Sequence, residues 1–383
     1  MPSALGSPAR AVKILAVLVA VIAMQISGTA PISPGSPGSA SSSVSSARLQ
    51  RAIRKSVDYL VRRQQRGVGC WGTQNRLALT SMATLAIMSS GNTPRRGPYA
   101  ENVQQAVRWI LGHQVRVGTY RHAFWDEKNG YSDIHNHGYA LLALTQAYGE
   151  SGQELDLRMG RAIRLGIRAS VESQHPNGGF GYFIRQHVPP SSREMYRGDE
   201  ASTTISQIQA LRGARNAGFE IPAGMIEKAE RYIFRSQHKP TGGFIYSLKN
   251  GRVSFKEGSN TPTFAITAAS ACVLNALGTY RGPSLERAIQ YMEQFVPPAD
   301  KEVHFFYYGH FYAAQVMHQI GGERGRRWRD KVLKELLERQ RADGSFPRAG
   351  DSHVPGDDGT LLNTAWSLQI MTMDQGVLPI HER

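Results

Sequence analysis

Cysteine is scarce in this chain, which has only Cys70 and Cys272 among its 383 residues. Two cysteines cannot build the disulfide framework on which small exported domains depend. They fall in the first and fourth of the six helix pairs described below. Those pairs would lie on opposite sides of a closed ring, too far apart for a disulfide bond. We therefore predict two free thiols, with Cys272 as a small core residue.

Long apolar runs are lacking as well. The run from Ile14 to Ile26 is short for a membrane-spanning helix. Arg10 and Lys13 precede this run, and Gly28 to Ala30 supplies the small residues that a signal peptidase requires. We predict a signal peptide over residues 1–30 and an exported protein, periplasmic or secreted. An uncleaved membrane anchor is the alternative.

Residues 31–47 lack any helical or strand period and are rich in Pro, Gly and Ser. Such a composition cannot bury a core, so we predict a disordered tether there. Residues 48–383 then form one folded domain.

Acidic residues are outnumbered, with 30 Asp and Glu against 45 Lys and Arg and a net charge of +15. A basic surface attracts anionic partners, such as an acidic membrane or a cell-wall polymer. Arginine is spread over most of the chain rather than concentrated in one run, which favours a solubilising role for these charges. We expect no specific nucleic-acid partner.

Strand-like alternation is almost absent, and a helical pattern recurs instead at a period of about 50 to 60 residues. A helix ends in Gln, a Gly–aromatic turn follows, and a second helix begins. The pattern is clear at four places: Gln65 to Trp71, Gln174 to Phe180, Gln237 to Phe244 and Gln340 to Phe346. Repeats of this length predict stacked or ring-closed helix pairs.

The two helices of each pair differ in composition. The first carries a charged stripe, as Arg161, Arg164 and Arg168 show, whereas the second is rich in Ala, Ser, Thr and Leu. A helix with a charged stripe faces water, and one that is apolar nearly all round is buried. We therefore predict an all-α fold, an α/α toroid of six helix pairs with an outer and an inner ring.

These Gln, Gly–aromatic turns followed by an Ala-rich helix resemble the prenyltransferase/squalene-oxidase repeat of terpenoid cyclases and protein prenyltransferase β subunits. The resemblance covers residues 49–373 and is specific for the fold rather than the activity. It implies a central cavity that binds an apolar isoprenoid or lipid-like ligand.

The catalytic signatures of that family are missing. Cyclases of the squalene–hopene type use an Asp-x-Asp-Asp string, to which Asp357-Asp358 is the nearest match. Protein prenyltransferases bind zinc through Asp-x-Cys, but Val68 and Ser270 occupy the positions two before the cysteines. Whether the protein is an enzyme stays open.

In the predicted toroid the first turns of all inner helices lie at one end, which we call the mouth. One group of polar residues is expected there. His137 is expected to open the second inner helix, Glu200 the third, His310 the fifth and Asp358 the sixth, with Asp357 beside it. Two imidazoles and two carboxylates could bind a zinc-like metal or share acid–base work. Helix capping and core histidines explain them more simply, so we predict no metal and no other cofactor. In a catalytic version, Asp358 or Asp357 is the general acid, oriented by His310 and His137.

An aromatic patch surrounds His310, and aromatic faces can line a pocket or stabilise a carbocation. The candidate ligand-binding residues are Tyr307, Tyr308, Phe311, Tyr312 and, in the second pair, Trp125. Core filling is the favoured interpretation for roughly half of the aromatics, since every turn of a toroid requires an aromatic plug.

Two other functions stay open besides an apolar ligand. One is a non-catalytic module that recognises a ligand or a protein, and the other is a carbohydrate-active enzyme on the same architecture. The long segment from His187 to Arg197, before the third inner helix, is either a lid over the mouth or a plain surface loop.

Overall fold

The computed structural model of the chain describes residues 45–128, 132–184, 200–248, 261–298, 303–348 and 354–381. These residues form twelve α-helices: α1 Ser46–Arg63, α2 Arg76–Ser89, α3 Ala100–Gly112, α4 Asp133–Ala147, α5 Gln153–Ser173, α6 Ala201–Asn216, α7 Ala223–Arg235, α8 Phe264–Ala276, α9 Pro283–Glu293, α10 Phe306–Ile320, α11 Gly322–Arg339 and α12 Gly356–Thr372. Two short 3-10 turns follow, Met373–Gln375 and Pro379–His381.

Odd-numbered and even-numbered helices differ in burial as predicted. α7 buries only Met225, Ala229, Tyr232 and Ile233, which share one face. α8 buries every residue from Phe264 to Ala276. The odd helices therefore form an outer layer, and the even helices form the core.

The inner helices close into a ring. Each packs against the next in chain order, from α2 through α4, α6, α8 and α10 to α12, and α12 packs against α2. α12 also contacts α1, so the last pair is joined to the first. The predicted α/α toroid of six pairs is confirmed.

A buried or half-buried glutamine side chain ties each of five pairs to the following one. Gln174 Nε2 donates to the carbonyl of its own turn, Gly178, and to that of Met225 in α7, both at 3.0 Å. The other four glutamines bond in the same way: Gln64 to Gly69 and Asn102, Gln114 to His122 and Ala162, Gln237 to Gly242 and Ser284, and Gln340 to Gly344 and Ala52. The Gln340 bonds join the sixth pair to the first.

Two of these glutamines differ from the sequence prediction. In the first pair the tying residue is Gln64, and Gln65 instead bonds the carbonyl of Gly72. In the second pair the tying residue is Gln114, a position at which the sequence pattern does not predict one. The reason is that its turn is longer and lacks the Gly–aromatic spacing.

The glycine of each Gly–aromatic turn is required by a close approach to the following outer helix. Gly178 has a φ of 100°, and a Cβ there would lie 2.0 Å from the carbonyl oxygen of Lys228 in α7. Gly344 has a φ of 93°, and its Cβ would lie 2.2 Å from the oxygen of Lys55 in α1. Any larger side chain would therefore push neighbouring pairs apart.

The aromatic residue of each turn is buried and bonds to the next inner helix. The N–H groups of Trp71, Phe180, Phe244 and Phe346 donate to the hydroxyls of Thr80, Thr204, Thr267 and Thr364, at 2.9 to 3.1 Å. In the second pair Phe124 N–H donates to His137 Nδ1 instead. The turn and the inner helix of each of these pairs are thus one unit.

Several predictions concern segments at the edge of the described residues or beyond them. Cys70 and Cys272 are free and buried, as predicted. α1 begins at Ser46, two residues before the predicted start of the domain at residue 48. The signal peptide at 1–30, most of the tether at 31–47 and the candidate lid at 187–197 lie outside the described residues. Within the part of the chain that is described, no helix has the length and apolarity needed to cross a membrane.

Candidate functional site

The mouth of the toroid is the end at which the inner helices begin. Backbone bonds link the start of one inner helix to the turn of the next pair, from Ile134 N to the carbonyl of Tyr182 and from Ala201 N to that of Tyr246. These bonds place the turns of pairs three and four beside the starts of α4 and α6.

A carboxylate–tyrosine cluster, consisting of Glu200, Tyr182 and Tyr246, lies at this mouth. Glu200 is the N-cap residue of α6 and is 7% exposed. Tyr246 donates its hydroxyl proton to Glu200 Oε2, and the hydroxyls of Tyr246 and Tyr182 are also hydrogen-bonded to each other. Burial, followed by the nearby charge of Glu200, raises the pKa of both tyrosines. Both therefore stay protonated at neutral pH and available as donors.

His135 lies between this cluster and the interior. Its Nδ1 is 2.7 Å from the hydroxyl of Ser132, the N-cap residue of α4. Its ring centroid is 6.0 Å from that of Tyr139 and 6.2 Å from that of Tyr182. Burial lowers the pKa of His135 to about 4, so the imidazole is neutral at pH 7.

An aromatic floor crosses the centre of the ring below the mouth. Tyr139 comes from α4 and Tyr312 from α10, the second and fifth inner helices, which are opposite members of the ring. Their phenols lie close enough to raise the pKa of Tyr312. Burial is the larger cause there, and it also raises the pKa of Tyr139 to about 12. Side chains from opposite walls thus meet on the axis and close it at this level.

Tyr308 and Trp366 form a wall above the floor. Tyr308 is one turn nearer the mouth than Tyr312, and its ring lies 4.8 Å from that of Tyr312 and 5.6 Å from that of Trp366. Both residues are partly exposed, although nearly all of the inner-helix residues around them are buried. The indole N–H of Trp366 finds no hydrogen-bond partner among the described residues. We call the space between this wall, the floor and the carboxylate–tyrosine cluster the axial chamber.

The sequence predicted that His137 and His310 are the first residues of their helices, and this prediction is wrong. α4 begins four residues before His137 and α10 four residues before His310, so both lie in the second turn. His137 takes the place of the threonine that bonds the aromatic N–H in four other pairs, and its Nε2 lies 3.1 Å from the carbonyl of Gly166. His310 bonds the carbonyl of Phe306 through Nδ1 at 2.9 Å. Both are fully buried, and burial lowers the pKa of each to about 4, so both are parts of the core.

Asp358 and Asp357 have roles in the fold or at the surface. The carboxylate of Asp358 accepts hydrogen bonds from Thr73 N, Gln74 N and the Thr73 hydroxyl, at 2.9 to 3.1 Å. It thereby joins the start of α12 to the turn of the first pair. Asp357 is exposed and pairs with Arg63 at 3.2 Å. Of the five predicted catalytic residues, Glu200 is the one beside the axial chamber.

The candidate ligand-binding aromatics separate into two groups. Tyr308 and Tyr312 lie at the chamber, with Phe311 behind them against Trp366 at 6.5 Å. Tyr307 is buried edge-on against Phe346 and fills the core. Trp125 stacks on Tyr120 at 4.5 Å and donates to Asp133, in the turn of the second pair.

The four residues considered for a metal do not assemble a site for one. Across the described ranges no three His, Cys, Asp or Glu side chains are grouped so that they could hold a metal ion. His137 and His310 bond to backbone groups, Glu200 accepts from a tyrosine, and Asp358 accepts from a turn.

Sequence reasoning missed Tyr182 and Tyr246, although a signal was present. Both stand two residues after the turn's aromatic, Phe180 in one pair and Phe244 in the next. Two tyrosines at the same offset in neighbouring pairs would be brought to the same end of the ring.

This architecture is a terpenoid cyclase-like α/α toroid, as the resemblance predicted. The type II terpene cyclase MstE from Scytonema, in complex with geranylgeranyl dihydroxybenzoate, superposes with a TM-score of 0.56 at 15% identity, over 87% of this chain and 98% of that one. An α-1,6-mannanase of Salegentibacter sp. HEL1_6, in complex with α-1,6-mannotriose, superposes with a TM-score of 0.59 at 11% identity, over 85% and 99%. At these identities the likeness concerns the fold.

Two curated proteins are similar to parts of the chain. A drimenyl diphosphate synthase of Streptomyces showdoensis is 29% identical over 175 residues, which are 45% of this chain and 27% of that protein. A trehalose-6-phosphate synthase of Mycobacterium leprae is 26% identical over 186 residues, 46% of this chain and 34% of that protein. The chain thus matches about a third or less of the length of these relatives. No protein-family model matches it.

Proposed function

We propose that the protein binds an apolar isoprenoid chain in the axial chamber. The observation that carries the proposal is the pair of partly exposed aromatic faces, Tyr308 and Trp366, above a closed aromatic floor. Aromatic faces and an apolar lining favour a hydrocarbon ligand. The fold shared with a type II terpene cyclase and the local similarity to a drimenyl diphosphate synthase support the same ligand class.

The carboxylate–tyrosine cluster sets the character of the ligand's polar end. Glu200 is a buried acidic group at the mouth, with a tyrosine as donor. A carboxylate repels a diphosphate or another anion at close range. We therefore propose a ligand whose polar end is uncharged, such as a hydroxyl or carbonyl group, bonded by the tyrosines.

Any proton transfer in the chamber is assigned to Glu200 in this proposal. Among the predicted carboxylates it lies nearest the aromatic wall, whereas Asp358 is occupied by three donors of the first turn. His135, a neutral imidazole beside the cluster, would orient the ligand rather than carry charge.

Tryptophan fluorescence can test the ligand class. Titration with geranylgeraniol is expected to change the emission of Trp366, and α-1,6-mannotriose to change nothing. A Trp366→Phe variant should lose most of the signal, while Trp109→Phe, on outer helix α3, should keep it. A response to mannotriose alone would move the assignment to a carbohydrate ligand, and a response to neither probe would favour an interaction module.

A second measurement tests the polar end. In Glu200→Gln the affinity for geranylgeraniol should change by less than about tenfold, because an amide still bonds a hydroxyl, whereas geranylgeranyl diphosphate should gain affinity once the negative charge is gone. Equal affinities of the wild type for alcohol and diphosphate would contradict the proposed role of Glu200.

We also propose that the protein is exported by the segment 1–30 and acts outside the cytoplasm. Its excess of basic residues would then favour the anionic surface of a membrane or cell wall. Fractionation of a tagged chain tests this, since a leaderless chain starting at Ser46 should stay in the cytoplasm. Equal distributions of the two chains would refute export by this segment.

A further inference from the structure

The turn of the second pair is a hairpin arm, residues 114–124, at the mouth of the toroid. The backbone N–H of Val115 donates to the carbonyl of Ala123 at 2.9 Å, and that of His122 donates back to the carbonyl of Val115 at 2.8 Å. Residues 116–121 form the tip of this arm. The arm is longer than the Gly–aromatic turns of the other pairs, so its added residues are not required for joining an outer helix to an inner one.

The base of the arm is fastened beside the axial chamber. Tyr120 stacks on Trp125, with ring centroids 4.5 Å apart and an angle of 19° between the planes. The indole N–H of Trp125 donates to the carboxylate of Asp133 at 3.2 Å. Asp133 is the first residue of α4, and His135, which borders the carboxylate–tyrosine cluster, follows two positions later. Aromatic and polar contacts therefore hold the arm at the mouth.

The tip of the arm exposes one apolar side chain between two arginines. Val117 is 78% exposed, the highest value among the large apolar side chains that the structure describes. Arg116 and Arg121 are exposed on either side of it in the chain. Packing within the described residues does not account for Val117, because most of its surface contacts no other residue.

The turn of the first pair repeats this combination next to the arm. Val68 is 49% exposed and stands two residues after the exposed Arg66. This turn lies against α3, the helix that leads into the arm, since a Cβ on Gly69 would lie 2.9 Å from the carbonyl oxygen of Gln105. Two exposed valines with basic neighbours are thus carried by adjacent pairs at the same end of the ring.

The charge of both turns is entirely positive. Residues 64–71 and 113–125 contain three arginines and neither Asp nor Glu. Within the described ranges Arg66, Arg116 and Arg121 form no ion pair. This charge favours an anionic partner.

An anionic lipid bilayer fits both features of the two turns. Apolar side chains enter the boundary between head groups and acyl chains, while arginines beside them attract anionic head groups. A soluble polyanion, such as a cell-wall polymer, would engage the arginines and leave both valines in water. The bilayer accounts for the valines as well as for the charge.

We propose that the turn of the first pair and the arm of the second dock the mouth of the toroid on a bilayer that contains anionic phospholipids. An isoprenoid then passes from the hydrocarbon layer into the axial chamber without crossing water. This delivery rests on the proposed function, whereas the docking itself requires no ligand in the chamber.

An environment-sensitive dye on Val117→Cys tests the docking. Cys70 and Cys272 are buried, so the introduced thiol is the one that reacts in the folded protein. Vesicles of phosphatidylglycerol and phosphatidylcholine in equal parts should shift the dye emission to shorter wavelength, and phosphatidylcholine alone should not. The dye on Leu157→Cys is the matched control and should not respond, because Leu157 is 60% exposed near the start of outer helix α5, at the end opposite the mouth.

Sedimentation with the anionic vesicles measures what each tip residue contributes. Val117→Asp should weaken vesicle binding by about tenfold or more, because the apolar surface of the valine is lost. Arg116→Gln and Arg121→Gln should each weaken it by about fivefold. Leu157→Asp should bind as the wild type does. All four side chains are exposed, so the circular dichroism of the variants should be unchanged.

The vesicles contain no isoprenoid, so docking and ligand binding are tested separately. Absence of binding to anionic vesicles would overturn the docking and leave the expected response of Trp366 to geranylgeraniol untouched. An equal dye response at positions 117 and 157 would also overturn it, as would binding to a soluble glycerol phosphate polymer but not to vesicles. Vesicle binding without a response of Trp366 would support the docking and refute the proposed ligand.

Discussion

At the scale of single residues, a histidine takes a threonine's place in this protein. In four pairs a threonine hydroxyl accepts the N–H of the turn's aromatic, and in the second pair His137 Nδ1 accepts it. Because Nδ1 is the acceptor, the proton of the neutral ring is on Nε2, which faces Gly166 and Ser170. A histidine that looks catalytic in the sequence is thus a backbone acceptor.

His137→Thr restores the residue found in the other pairs and should change the pH dependence of stability. Burial lowers the folded pKa of His137 from 6.5 to about 4, so its contribution is complete above pH 6.5 and is lost as the pH falls toward 4. The variant should be less stable at pH 7 by about 1–3 kcal/mol, since it leaves a void and loses the Nε2 bond.

Urea unfolding at several pH values measures both effects. The slope of the unfolding free energy between pH 6.5 and 4 should be shallower in His137→Thr than in the wild type. His238→Thr, at the half-buried turn of the fourth pair, is the matched histidine control. An unchanged slope in His137→Thr would mean that the ring is protonated in the folded state.

Asp358→Asn should weaken the fold rather than the chemistry of the chamber. The amide replaces one acceptor oxygen with a donor that faces Thr73 N and Gln74 N. The free energy of unfolding should fall by about 1–3 kcal/mol, with isoprenoid binding retained. Asp357→Asn, at an exposed ion pair, should change stability by less than about 0.5 kcal/mol. If Asp358→Asn were as stable as the wild type but no longer bound the isoprenoid, Asp358 would have to be a residue of the ligand site.

At the scale of elements, the glutamines that join the pairs define how one pair meets the next. Each donates from a single NH₂ group to two carbonyls, one in its own turn and one in the following pair. One carbonyl belongs to the turn, and the other lies within the following outer helix, as Met225 does in α7. The glutamine therefore satisfies the turn and sets the position of the neighbouring pair together.

Gln64 and Gln65 form a matched pair for testing this role. Gln64→Ala removes the bonds to Gly69 and Asn102 and should lower the free energy of unfolding by about 1–3 kcal/mol. Gln65→Ala removes one bond, to the Gly72 carbonyl, at a partly exposed site and should have the smaller effect. Chemical denaturation measures the free energy of unfolding of both variants. An equal decrease in the two would mean that the bond from Gln64 to the second pair does not contribute to stability.

At the scale of the whole molecule, the closed ring makes the core common to all six pairs. α12 packs on both α1 and α2, and Gln340 bonds Ala52 across the join. Residues from opposite inner helices, Tyr139 and Tyr312, meet on the axis. Loss of any pair would therefore expose the inner faces of its neighbours.

The closed core should also make the protein acid-sensitive. His137, His310 and His381 are nearly or fully buried, with pKa values lowered to about 4, 4 and 3. Unfolding lets each take up a proton below pH 6.5, so stability should fall between about pH 6.5 and 4 by up to about 3 kcal/mol per histidine. Thermal unfolding followed by circular dichroism should show a falling midpoint across this range, and a flat profile would exclude neutral buried imidazoles.

The sequence by itself determined the helices, their pairing and their places in the inner or outer ring, because helical period and charge are local properties of each segment. Glu200, Tyr308 and Tyr312 were recognised as candidate site residues from the predicted helix starts and the aromatic patch. Only the tertiary structure decided that Gln64 rather than Gln65 ties the first pair, that His137 replaces a threonine, and that Tyr182 and Tyr246 meet Glu200. These features depend on the register between pairs that are far apart in the chain. Turns of unequal length set that register, and closure of the ring settles it.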